Sequence, residues 1–154
     1  MDERGTSGLR RSRFTDLADE EIEFLKSEIR AIDADDNVFA FNQGDSTSYV
    51  DEIDTVFVRG DVFPNKNSSH PRDLMSARAV LAHEYYGHRA NRGTRLTQGS
   101  WQDEFRASYM AAQNAPNLSQ QDRAYLIMDA LERAKDKGVN IRHNNVIRGI
   151  LHGF

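Results

Sequence analysis

The chain has no cysteine. Disulfide frameworks and thiolate zinc sites are therefore excluded, and any metal it holds must be bound by histidine and carboxylate. The lack of disulfides fits a reducing compartment. Long apolar runs are missing as well: none approaches the ~20 residues of a membrane span. The N-terminus also lacks the apolar core of a signal peptide. The expectation is a soluble domain with no membrane span, either cytoplasmic or delivered as part of a secreted effector. An excess of positive charge is absent too. A formal net charge of −4 with 29% charged residues argues against a nucleic-acid partner. What is present is 154 residues, the size of one domain able to bury a core without staples.

Residues 1–13 mix Gly, Ser, Thr and Arg with almost no apolar content and read as a flexible, solvated tail carrying Arg10, Arg11 and Arg13. Residues 14–154 read as a single domain. From Thr15 to about Ile32, the apolar residues Ile22, Leu25, Ile29 and Ile32 recur at helical spacing behind an acidic first turn. Val38–Phe41, Tyr49–Val50 and Thr55–Phe63 are β-branched and aromatic and predict short strands, with a bulge or tight turn at Gly60-Asp61. A long helix is expected from about His70 to Asn91, opened by Ser69 and Pro71 and closed by Gly93. Helices are also expected over about 100–114, stopped by Pro116, and over 119–138, where Ser119 and Asp122 have capping-box-like spacing. A short closing helix falls within 140–152. Helix, small mostly antiparallel sheet, then helices is an α+β architecture.

The chemistry concentrates in His83-Glu84-Tyr85-Tyr86-Gly87-His88. Imidazole is a common ligand for a catalytic transition metal. A Glu directly after the first His can stand beside the metal as a general base, which is the logic of H-E-x-x-H metallopeptidases. Here the spacing is one residue longer. Residues four apart on an α-helix differ by about 40° around the axis, whereas residues five apart differ by about 140°. His83 and His88 can share a metal only if one residue is inserted, as in a π-bulge. Gly87 lowers the steric cost of such a departure just before the second ligand.

A catalytic zinc needs a third protein ligand and an open position. Glu104, Ala107, Ser108 and Ala111 fall on one helical stripe, so this helix can pack closely on the one carrying the histidines and bring Glu104 in as third ligand. Asp103 is the main competitor, followed by His70, His143 and His152. Asp61, Asp73 and Asp103 are available as carboxylate partners for the ligating imidazoles. Tyr86, Tyr109 and His143 are candidate donors to a developing oxyanion.

His-Glu-x-x-Gly-His followed by Glu-x-x-Ala resembles the zinc site of the dipeptidyl peptidase III family, over residues 83–88 and 104–107 alone. Size and layout resemble the minimal zincin-like peptidase domains of bacterial polymorphic toxins and phage-associated proteins. These resemblances imply a minimal zincin-like fold and one catalytic zinc. They also imply that His83, His88 and Glu104 are its ligands and that Glu84 is the catalytic base. In that fold an edge strand upstream of the metal helix holds the substrate, and the segment 55–63 is the corresponding element.

The expected activity is zinc-dependent hydrolysis of a peptide or protein substrate, with Glu84, Tyr86 and His143 as catalytic residues. An immunity or inhibitor protein is the partner such a toxin domain would imply. The alternatives are a binding or regulatory module with a structural metal, and a zinc amidase acting on cell-wall peptides or small peptide conjugates.

Overall fold

The computed structural model describes residues 11–65, 67–94 and 96–152. Most of the tail expected over 1–13 thus lies outside the described residues. At its end, Arg11 forms a salt bridge with Glu21, and the Arg13 carbonyl accepts from Arg59 Nε at 2.9 Å.

Helix α1 spans Asp19–Ala31 and buries Leu25 and Ile29. It starts four residues later than its apolar period suggests. Leu17 is held by Asn42, whose Oδ1 accepts from the Leu17 N–H at 2.7 Å while its Nδ2 donates to the Leu17 carbonyl at 3.1 Å. This backbone is spent on the sheet, so the helix begins beyond it.

Three short strands follow: β1 (Phe39–Phe41), β2 (Ser48–Val50) and β3 (Thr55–Val58). Their order is β1-β3-β2. β1 runs parallel to β3, with Phe39 opposite Val56; β2 runs antiparallel to it, with Ser48 opposite Phe57. The sheet is mixed, and two expectations need correcting. The strand expected over 55–63 stops at Val58, and Gly60–Val62 is a 3-10 turn. A Cβ on Gly60 would lie 2.4 Å from the Ser12 carbonyl oxygen, so the incoming chain crosses over that turn where only glycine leaves room. More consequentially, β3 is the central strand. Both of its edges are already paired, so it cannot take up a substrate strand. The edge nearest the histidines is β2.

The long helix expected from His70 is broken. α2 covers Pro71–Leu74, and α3 covers Ala77–Ala82. Between them Met75 is extended in ψ, and the Ser76 hydroxyl oxygen caps α3 by accepting from the Ala79 N–H at 3.1 Å. The same hydroxyl donates to Asp122 at 2.7 Å. Ser76→Ala is expected to cost about 1 kcal/mol, the usual worth of such a cap. Denaturant unfolding should show it as a lower midpoint at unchanged m-value.

α4 (Trp101–Asn114) and α5 (Gln120–Asp136) are capped by Ser100 and Ser119 and joined by a short loop, so they pack side by side. α6 (Asn145–His152) closes on α5. One hydrophobic core unites Leu25 and Ile29 of α1, Val56 and Val58 of β3, Val80 and Leu81 of α3, and Leu126 and Ile127 of α5. The whole is α+β, with an N-terminal helix, a three-stranded mixed sheet and then several helices. Among the described residues, no helix is long and apolar enough to cross a membrane.

Candidate metal centre

From His83 to His88 the chain leaves the α-helical path of α3 and makes a turn of π-helix. The wider turn brings residues five apart onto one side, as the motif spacing requires. The two imidazole rings stand 4.8 Å apart, centroid to centroid, and nearly perpendicular at 81°.

α4 lies directly against this turn. An added Cβ at Gly87 would sit 2.4 Å from the Ala107 carbonyl oxygen and 2.6 Å from its Cα. Gly87 is therefore required by the approach of α4, not by its own backbone angles, which are not left-handed. The close approach delivers Glu104, one turn before Ser108. One Glu104 oxygen lies 3.0 Å from His83 Nε2, and the other lies 3.2 Å from His88 Nε2. Asp103, the competitor for this place, faces the other nitrogen of His88, with its Oδ1 3.6 Å from Nδ1. Its Oδ2 accepts from the Gly99 N–H at 3.0 Å.

Glu84 is buried, and its Oε1 accepts from the backbone N–H of Tyr49 on β2 at 3.0 Å. Potential ligand atoms of His83, Glu84 and His88 lie within 4.8 Å of one another, as do those of His88, Asp103 and Glu104.

Behind His83 runs a buried polar chain. His83 Nδ1 lies 2.8 Å from Ser108 Oγ, and Ser108 lies 2.6 Å from Asp129 Oδ2 on α5. Asp129 accepts from Arg72 Nε at 2.7 Å and from Arg133 Nε at 3.1 and 3.0 Å. Arg133 also comes within 3.7 Å of Glu104.

The electrostatics follow from this crowding. Burial alone would push the Glu104 carboxyl up, but hydrogen bonds from His83 and His88 overcome it and hold Glu104 well below the usual carboxylate range. Burial would likewise lower His88; its contacts with Asp103 and Glu104 reverse that and raise it well above the ordinary histidine value. An ionised Glu104 thus faces a charged His88, with Asp103 on the other side of that imidazole.

The donor set, imidazole nitrogen with carboxylate oxygen and no thiolate, could hold a metal ion. The two His–Glu104 separations, 3.0 and 3.2 Å, are made by different oxygens of that carboxylate.

A cavity of about 210 Å³ opens beside these residues. Glu84, His88 and Glu104 line it, with Tyr49 of the β2 edge, Arg92 and Arg106. Asp103 lines it too, whereas His83 and the other residues singled out from the sequence do not. The Tyr86 hydroxyl donates to the Ile32 carbonyl at 2.5 Å, beneath the turn. His143 is exposed ahead of α6, and its carbonyl accepts from Arg148 at 2.6 Å. Tyr109 stacks on Phe105 and accepts from Asn144. His70 caps α2, and His152 ends α6. Of the carboxylates considered as partners of the imidazoles, Asp103 approaches His88. Asp61 instead accepts from the Thr47 N–H and hydroxyl, and Asp73 accepts from Ser68.

Sequence reasoning missed Asp129, Arg133 and Arg72. The spacing of four between Asp129 and Arg133 on one helix was a visible signal; Arg72, 57 residues from Asp129, left none. The chain matches no protein-family model, no curated protein and no solved structure. The fold and the site therefore define it as an α+β protein with a possible His/Glu metal-binding centre.

Proposed function

We propose that the chain is a zinc-dependent hydrolase of peptide bonds, in which His83, His88 and Glu104 hold the metal and Glu84 is the general base. The observation that carries this reading is the convergence of both imidazole Nε2 atoms on the Glu104 carboxylate, with Glu84 on the wall of the same open cleft. A structural zinc site is closed, whereas a catalytic one keeps a position for substrate. When bound, zinc supplies a Lewis acid that polarises a carbonyl and lowers the pKa of water.

The other steps fall to the chain. Glu84 accepts the proton of the attacking water and returns it to the leaving amine. The Tyr49 N–H fixes the direction of that carboxylate. The substrate lies between the β2 edge and the wall carrying Arg92 and Arg106, whose positive charge offsets the carboxylates around it. Those two arginines are better placed than Tyr86 or His143 to meet a developing oxyanion. The same ligand set supports a kinship with minimal zincin-like toxin domains.

A second reading, a binding module with a structural metal, has one observation in its favour. Glu84 already braces the sheet through Tyr49, which gives its carboxylate an architectural task. Glu84→Gln separates the two. Under the hydrolase reading, wild type and variant each bind about one zinc, and cleavage of a peptide library, followed by mass spectrometry, falls at least about a hundredfold in the variant. Wild-type protein that binds no zinc, or that binds it and cleaves no peptide bond, refutes the proposal.

A further inference from the structure

We propose that Ser108 and Asp129 are positioning residues that keep a proton on His83 Nδ1, so that Nε2, which faces Glu104 and His88, is the nitrogen left to give its electron pair to a metal. The consequence for metal binding rests on reading His83 as a ligand. The proton assignment itself does not.

The argument is a count of protons. Asp129 is fully buried between two guanidinium groups, with Arg72 Nε at 2.7 Å and Arg133 Nε at 3.0 Å. A carboxylate so placed is ionised and can only accept. The 2.6 Å contact between Ser108 Oγ and Asp129 Oδ2 must therefore use the hydroxyl proton of Ser108. A serine hydroxyl has one proton to give. Towards His83 it presents only lone pairs, and the 2.8 Å contact with Nδ1 must be an N–H donating to Oγ. The reverse arrangement would put two lone pairs against each other at the Ser108–Asp129 contact. With Nδ1 held as a donor, Nε2 is the nitrogen whose proton, shared with Glu104 at 3.0 Å, a metal would displace, and the neutral ring then carries its electron pair there.

The layout makes the device economical. Ser108 is one helical turn after Glu104, so α4 brings both the carboxylate that faces His83 Nε2 and the hydroxyl that orders His83 Nδ1. α5 then anchors the hydroxyl through Asp129. Arg133 reaches both ends of the chain, lying against Asp129 and within 3.7 Å of Glu104. Partners of this kind orient a ligating imidazole and commonly change metal affinity about 10–100-fold.

The test uses the full chain with ¹⁵N-labelled histidine. In the metal-free wild type, long-range ¹H–¹⁵N correlation should show His83 Nδ1 bearing a proton in slow exchange with water. In Ser108→Ala that proton should lose its protection, and zinc affinity, read by chelator competition, should fall about 10–100-fold. Ser108→Thr, which keeps the hydroxyl, should restore both. An unprotonated His83 Nδ1 in the wild type overturns the proposal. So does a Ser108→Ala protein with unchanged His83 signals and unchanged zinc affinity. If Ser108→Ala does not fold, the wild-type spectrum still decides. A protected Nδ1 proton in a chain that takes up no zinc supports the relay while removing the metal centre, so the two failures are distinguishable.

Discussion

Replacing Asp129 by asparagine is expected to lower the stability of the folded chain by about 3–5 kcal/mol, seen as a fall in Tm of about 10 °C. Asp129 is the counter-charge for Arg72, which is itself buried, and for Arg133. Removing one member of a buried ionic cluster leaves the others desolvated without compensation, which costs far more than the cluster contributes when intact.

The pH dependence follows from the direction of the Asp129 shift. Burial alone would push its carboxyl up, but the charges of Arg133 and Arg72 outweigh burial and hold it below the usual carboxylate range. A folded-state value below the unfolded one contributes stability that is present above the unfolded value, about 3.9, and is lost as pH falls below it. The advantage of wild type over Asp129→Asn should therefore be level from neutral pH down to about 4 and shrink below that. An advantage that grows on acidification contradicts the assignment. Replacing the triad together, with Arg72→Met, Asp129→Leu and Arg133→Met, should recover much of the stability, because no charge is then left buried. It should not recover the ordering of His83.

Gly87→Ala is expected to cost about 3 kcal/mol, the upper part of the range for overpacking a close-fitted interface, and to weaken zinc binding in addition. The new methyl group would meet the backbone of Ala107, with its oxygen at 2.4 Å and carbonyl carbon at 2.7 Å, and backbone cannot rotate aside. α4 has to retreat, and Glu104 retreats with it from His83 and His88. Trimming the facing side chain gives no relief, so Gly87→Ala combined with Ala107→Gly should remain as impaired as the single variant. Thermal unfolding and chelator competition on the two proteins check this. Rescue by Ala107→Gly would show that the contact is made through side chains.

The convergence of His83, His88 and Glu104 was legible for reasons of geometry. A spacing of five between His83 and His88 admits few ways of sharing one side of a helix, and the π-turn is one of them. The stripe of Glu104, Ala107, Ser108 and Ala111 announced a helix built for close contact, which left Glu104 as the carboxylate at the contact. Local order was legible too, since Ser119 caps α5 where its spacing to Asp122 indicated.

What stayed hidden depends on partners distant in sequence. The break between α2 and α3 is invisible because Leu74, Ala77, Val80 and Leu81 keep a helical period across it, and only the bond from Ser76 to Asp122 on α5 shows the use of the break. Strand order was hidden because three strands of similar composition and three or four residues each carry too little pattern to say which lies in the middle. The second demand on Gly87, the close approach of α4, stayed hidden for a related reason. A glycine in isolation suggests backbone freedom, and the helix that demands its smallness begins 14 residues later, at Trp101.

The bond from Tyr49 to Glu84 has a consequence for how the molecule behaves in a crowded solution. β2 is an outer strand, and unpaired amides on such an edge invite pairing with another chain. Here the Thr47 and Tyr49 N–H groups are already given to Asp61 and Glu84. The carboxylate proposed to move protons therefore also works as a guard against self-association. Glutamine at position 84 keeps a carbonyl oxygen for the Tyr49 N–H and should leave the protein monodisperse. Alanine there would expose the edge, and its concentration-dependent aggregation, followed by light scattering, would register the loss of the guard apart from any loss of chemistry.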